Sequence, residues 1–280
     1  MRKEGDFRFD EVGYWSEIKL EILQKYGSAY TTIMSKQASI KGYYYIDGFA
    51  GPGVHISKTK KKQIPGSPLI ALDTKPPFTG YYFIDLNKEK IDYLRRLAAG
   101  YSNVFFFEGD CNEILLKEIF PTIQYSDYKR ALCLLDPYGL HLNWEVMRAA
   151  GQSKAIEIFL NFPVMDMNRN VLWENPDKVS PEQADRLTSF WGDESWKKAA
   201  YKKQEGLFGD IEEKTSNEAI ALAFQKRLKE SAGFGYVSRP MPMRNENGAV
   251  VYYLFFASPN KTGHKIVEDI MKKYSNRGCV

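Results

Sequence analysis

Residues 43–53 read Tyr43-Tyr44-Tyr45-Ile46-Asp47-Gly48-Phe49-Ala50-Gly51-Pro52-Gly53. An aromatic and β-branched run closes on an acid, and glycines follow at 48, 51 and 53. Tyr43 to Asp47 has the composition of a buried strand. The glycines permit positive φ and a close approach of backbone N–H groups to a ligand carboxylate. Asp47, at the strand's end, is placed to face a ligand ammonium group through water. Taken alone, such a loop is equally a tight strand-to-helix turn.

The following segments decide between the two. Tyr81 to Asp85 reads as a second strand, Val104 to Phe107 as a third leading to Asp110, and Ala131 to Leu135 as a fourth leading to Asp136. These acids recur about one strand–helix unit apart, so they gather along the carboxyl edge of a parallel sheet. In a doubly wound sheet the acid after the second strand points at ribose hydroxyls. Asp110, beside Cys111, is placed to accept from an adenine amino group, although a helix N-cap is an equal use for it. A nicotinamide site would need Gly-x-Gly-x-x-Gly and an acid ~20 residues on. Here the third glycine is missing and the acid comes late. Asp47, Gly48, Phe49, Ala50, Gly51, Gly53, Asp85, Asp110 and Cys111 are therefore expected to hold S-adenosylmethionine.

Asp136-Pro137-Tyr138-Gly139 is the expected catalytic segment. Methyltransferases acting on exocyclic amines of bases carry a short Asp/Asn-Pro-Pro-aromatic segment at this place. Asp136 and nearby carbonyls would hold the amine with its lone pair toward the methyl group, and Tyr138 would stack on a planar ring. The second proline is absent, so the segment resembles more the Asp-Pro-Phe-Gly variant of tRNA guanosine dimethyltransferases. A structural turn with Asp136 capping the next helix is the competing reading.

Outward from these motifs, Trp15, Ile18, Ile22, Tyr26, Tyr30 and Ile33 recur at helical spacing and predict a long first helix. Residues 54–64 read as a polar loop, whose Lys58, Lys60, Lys61 and Lys62 would meet phosphates or remain solvated. Ser67-Pro68, Asn87, Asn143 and the boxes Ser180/Gln183 and Thr215/Glu218 mark helix starts. Ala155 to Leu160 is a fifth strand. Gly235 to Met243 and Val250 to Ala257 form a hairpin around Asn245-Glu246-Asn247-Gly248. Tyr43, Tyr45, Phe83 and Phe106 are expected to pack in the core. The expected fold is α/β: a Rossmann-like S-adenosylmethionine-dependent methyltransferase fold. Its sheet is seven-stranded and mostly parallel, with a C-terminal β-hairpin. Residues 1–280 form a single methyltransferase-like domain, and 165–212 are a helical insertion near the substrate side.

Composition sets outer limits. The chain has 280 residues, 44% hydrophobic and 26% charged, which suits one folded α/β domain. A net charge of +4 permits a nucleic-acid partner without demanding one. Cys111, Cys133 and Cys279 fit no zinc spacing, and no metal site is expected. The N-terminus lacks a signal-peptide core and no run suffices for a membrane span, so a cytoplasmic protein with no membrane partner is expected.

Together, Trp15-Ser16-Glu17-Ile18-Lys19, the Tyr45–Gly51 stretch, Ile64-Pro65-Gly66-Ser67-Pro68 and Asp136-Pro137-Tyr138-Gly139 resemble the three-Cys-motif partner protein (TcmP) family. The resemblance covers positions 15 to about 163. It implies a methyltransferase-like fold and a protein partner with a three-cysteine motif, of the radical S-adenosylmethionine type. Two functions follow as expectations. One is methyl transfer from S-adenosylmethionine to an exocyclic amine of a nucleic-acid base or nucleotide. The other is a catalytically silent, cofactor-binding partner or adaptor of that enzyme. Nucleic-acid binding without chemistry is a third reading.

Overall fold

The computed structural model describes residues 9–206 and 209–274. In chain order the regular elements begin with β1 (Glu11–Val12), α1 (Tyr14–Ser35), β2 (Gly42–Asp47), β3 (Val54–Ser57), β4 (Lys62–Pro65) and α2 (Ser67–Leu72). Next come β5 (Gly80–Asp85), α3 (Lys88–Leu97), β6 (Val104–Glu108), α4 (Cys111–Ile114), β7 (Lys129–Leu135), α5 (Trp144–Ser153) and β8 (Ile156–Phe162). The later part holds α6 (Val164–Asn170), α7 (Pro181–Trp191), α8 (Trp196–Ala200), β9 (Tyr201–Gly206), β10 (Gly209–Lys214) and α9 (Asn217–Glu230). The chain closes with β11 (Tyr236–Val237), β12 (Met241–Arg244), β13 (Val250–Ser258) and α10 (Lys261–Lys272).

The main sheet runs β11-β13-β8-β7-β2-β5-β6, with β12 also on β13. The pairs among β2, β5, β6, β7 and β8 are parallel, whereas β13 is antiparallel to β8. From β2 the chain winds outward through β5 to β6, then returns to β7 on the other side of β2. That reversal leaves a crevice at the carboxyl ends of β2 and β7.

The alternation of side chains along each strand supplies both cores. Tyr45, Phe83, Leu132, Leu134 and Phe159 pack under α1, α3 and α10. Ile46, Ile84, Cys133, Leu135 and Ile158 face the opposite layer, where Val146, Phe190 and Phe224 cover them. On α1 the stripe Ile18, Ile22, Tyr26, Tyr30 is buried. Tyr43 and Phe106 pack against the same side as Tyr45 and Phe83, as expected of core aromatics.

Several expectations need correction. The sheet has eight strands, not seven. The segment expected as one strand over 235–243 splits into β11 and β12, because Pro240 has no N–H to donate and the Ser238 hydroxyl accepts the Phe256 N–H instead. Residues 54–64 are a hairpin, β3–β4, to which β1 adds in parallel. Val54 and Ile56 supply the strand pattern, and Lys61 turns the chain at φ 49°. The stretch 165–212, expected as helical, also carries the antiparallel pair β9–β10. The cap of α9 is Ser216, one residue after Thr215, and its side chain accepts from the Ala219 N–H. Asn143 sits at the N-cap of α5 without a side-chain cap bond; its own N–H donates to Asn112 Oδ1. Asn87 and Ser180 cap α3 and α7 as expected.

Among the described residues no cluster of His, Cys, Asp or Glu is suited to a metal ion, and no helix is long and apolar enough to cross a membrane. The extreme N-terminal residues and Cys279 lie outside the described residues.

Candidate functional site

The crevice opens into a cleft of about 860 Å³, within the ~300–1,000 Å³ of small-molecule sites. Its floor is the glycine loop after β2. Gly48, Phe49, Ala50 and Gly51 line it, followed by Asp85 at the end of β5 and Asp110 and Cys111 after β6. Asp136, Pro137 and Tyr138 after β7 form the adjacent wall. Gly51 has φ 61°, a conformation that L side chains rarely adopt, and a Cβ there would meet only open space.

Register explains why the acids differ. Asp47 pairs with Phe83 on one side and Leu134 on the other, two residues before Asp85 and Asp136. At ~3.3 Å rise per residue it lies deeper in the sheet than either. Asp47 is accordingly fully buried and absent from the cleft wall. Burial pushes its carboxyl up to about 6, against the lowering bonds from Ser67 and the Phe49 N–H. Its Oδ1 accepts the Phe49 N–H at 3.2 Å and Oδ2 the Tyr45 hydroxyl at 3.2 Å. Asp47 thus shapes the loop from below and does not reach the cleft surface. Gly53 is also outside the wall: at φ 82° its Cβ position lies 2.6 Å from Leu94 Cδ1, so it serves packing.

Asp85 is half-buried, and its Oδ2 accepts the Gly51 N–H at 2.8 Å while Oδ1 accepts the Asn87 N–H at 2.8 Å. One carboxylate therefore ties the glycine loop to the start of α3. Asp110 caps α4 through the N–H groups of Asn112 and Glu113, while also lining the cleft. Burial, with Asp110 adding to it, pushes the Cys111 thiol up to about 12, so it stays protonated at neutral pH.

Asp136 is engaged at both oxygens by other side chains. Its Oδ2 forms an ion pair with Lys19 Nζ, and its Oδ1 accepts from Asn161 Nδ2. Lys19 comes from α1, far away in sequence, and lies over the Tyr252 ring at 5.7 Å. Tyr138 is 87% exposed at the lip. Gly139, at φ 67°, lets the loop pass Asp166, whose Oδ2 would lie 2.8 Å from an added Cβ.

Sequence reasoning missed Lys19, His55, Asn161 and Arg169, all of which line the cleft. Only Lys19 left a signal: with Trp15, Ile22 and Tyr26 it shares helical spacing, which puts a lysine on the buried face. The basic run is partly withdrawn from any phosphate. Lys60 Nζ pairs with Glu17 Oε2 at 2.7 Å, and the Ser57 hydroxyl donates to Glu17 Oε1 at 2.6 Å. Of the 165–212 stretch, Met165, Asp166 and Arg169 on α6 border the cleft.

No protein-family model matches the chain, and no curated protein matches it. Among solved structures, a protein from Legionella pneumophila str. Philadelphia 1 is 10% identical with a TM-score of 0.49, over 92% of this chain and 93% of that one. The N-terminal domain of EvdMO1, solved with SAH bound, is 12% identical with a TM-score of 0.43, over 85% and 81% of the two chains. The likeness at these identities is one of backbone layout.

Proposed function

We propose that the protein is an S-adenosylmethionine-dependent methyltransferase whose acceptor is an exocyclic amine of a nucleic-acid base or nucleotide. The observation that carries this reading is the placement of three motifs on one cleft: Gly48–Gly51 at the end of β2, Asp85 at the end of β5, and Asp136-Pro137-Tyr138 at the end of β7. In this reading Asp85 receives the ribose hydroxyls, the Asp110–Cys111 corner borders the adenine, and loop N–H groups meet the ligand carboxylate. The bound sulfonium supplies an activated methyl group with a neutral thioether as leaving group. The protein orients the acceptor and excludes water; no strong base is needed before transfer. Tyr138, exposed at the lip, is available to stack on a planar base.

A second reading is a cofactor-binding partner of a three-cysteine-motif enzyme, in keeping with the resemblance to the TcmP family. The observation favouring it is that Lys19 and Asn161 already occupy both oxygens of Asp136.

Methyl-labelled S-adenosylmethionine incubated with the purified protein and total RNA or DNA tests the leading reading. Transfer to one fraction is expected, reduced at least about 100-fold in Asp136→Asn. No transfer to either, with Asp136→Asn indistinguishable from the parent, sinks it and leaves the partner reading.

A further inference from the structure

Asp136 is engaged at both oxygens, by Lys19 and Asn161, yet two polar atoms in residues of the same cleft have no partner. Asn161 is 3% exposed at the end of β8, and it gives its Nδ2 to Asp136. Its Oδ1 is buried with no hydrogen-bond partner. The His55 ring, carried by β3, has its Nδ1 buried with no partner. Both residues line the same cleft as the ion pair; Asn161 is bonded to it, and His55 feels the charges of Lys19 and Asp136. An unpartnered buried polar atom costs about 1–3 kcal/mol, and two of them in residues of one cleft point to a ligand that satisfies both.

We infer that His55 and Asn161 form the subsite for the methyl acceptor, Asn161 Oδ1 accepting an N–H of the amine and His55 taking the proton released by transfer. Lys19 and Asp136 are then positioning residues, holding the Asn161 amide so that its carbonyl faces away from the carboxylate. The inference rests on the methyltransferase reading and adds the residues that would handle the amine. In the step, the nitrogen lone pair forms the N–CH3 bond while the S–CH3 electron pair stays on sulfur. The resulting ammonium loses a proton to His55 Nδ1, and the imidazolium passes it to water.

The electrostatics suit that role. Burial, then the Lys19 charge, holds the His55 imidazole below its ordinary value of 6.5, so it is neutral and able to accept at pH 7. Asp136 and Asp10 oppose this shift, and Lys90 adds to it. Asn161 selects for an acceptor that still carries an N–H, because a tertiary nitrogen would leave Oδ1 unpaired.

Three measurements test the inference. First, NMR titration of His55 in the ligand-free protein is expected to give a midpoint below 6.5, with the resonance shifting on addition of a nucleobase amine such as adenosine. Second, the transfer rate of the parent should rise with pH through that same midpoint; His55→Gln should lose this limb and fall at least about 100-fold. Third, Asn161→Leu should fall at least about tenfold. Asn161→Asp, which mimics the amide only when protonated, should recover toward low pH. Calorimetry with S-adenosylhomocysteine should show affinity within about threefold of the parent in every variant, which separates acceptor handling from cofactor binding. His55→Gln with an unchanged rate and pH limb, or Asn161→Leu with lost S-adenosylhomocysteine binding, overturns it. If His55→Gln does not fold, a parent pH limb that misses the NMR midpoint overturns it equally. A parent with no transfer at all refutes the methyltransferase reading itself, and the acceptor subsite with it.

Discussion

Asp47, Asp85, Asp110 and Asp136 look alike in the sequence and do four different things. Asp47 is sealed under the glycine loop, and Asp85 ties that loop to α3. Asp110 caps a helix, while Asp136 is held by Lys19 and Asn161. Strand-end position was legible from hydrophobic runs, but depth was not. A two-residue offset in register separates a buried acid from one facing the cleft. Asp85→Ala tests the most local of these roles. It strands the N–H groups of Gly51 and Asn87, so S-adenosylhomocysteine affinity should drop at least about tenfold by calorimetry, with a stability loss of about 1–3 kcal/mol by denaturant titration. Unchanged affinity would remove Asp85 from the cofactor site.

At the scale of elements, α1 connects the core to the cleft. Near its start, Glu17 accepts from Ser57 and Lys60, which fastens the β3–β4 hairpin, and Lys19 reaches Asp136. About two turns beyond Lys19, the Tyr26 hydroxyl donates to Glu157 on β8 at 2.5 Å, and the Ser258 hydroxyl, at the end of β13, donates to its other oxygen at 2.7 Å. Glu157 is 5% exposed, and burial pushes its carboxyl from 4.5 up to about 7, against the lowering effect of those two bonds. A folded-state value above the unfolded one favours the protonated acid. Its contribution is therefore complete below pH 4.5 and is lost as pH rises through about 7. Asp47 has the same sign, with its loss centred near pH 6. The unfolding free energy from denaturant titration should fall between about pH 5 and about pH 8, and Glu157→Gln should flatten the fall by an amount on the order of 3 kcal/mol. Asp47 keeps some slope in that variant. A variant whose profile parallels the parent's would mean that Glu157 does not titrate differently in the folded state.

For the molecule as a whole, charge is divided unevenly. The chain carries a net +4, yet Asp10, Glu11, Asp85, Asp110, Asp136 and Asp166 border the cleft against Lys19, Lys90 and Arg169. Such a wall attracts a cationic ligand over a neutral one, and salt weakens the preference. S-adenosylmethionine should therefore lose more affinity than S-adenosylhomocysteine when NaCl is raised from about 50 mM to about 500 mM, as paired calorimetric titrations would show. Parallel losses would mean that the carboxylates are neutralised by their own partners.

The sequence by itself determined the alternation of strands and helices, the glycine loop, the acids that close β2 and β5, and the hairpin turn at Asn245–Gly248. Each is written in adjacent residues, where apolar period, turn chemistry and capping act over a few positions. Tertiary structure alone decided which of these residues meet. Lys19 and Asn161, on α1 and β8, meet at Asp136, and His55 on β3 joins them along one cleft, only because the strand order reverses at β2 and the β3–β4 hairpin folds against α1. No local pattern encodes such a meeting, since register and packing across the sheet set it.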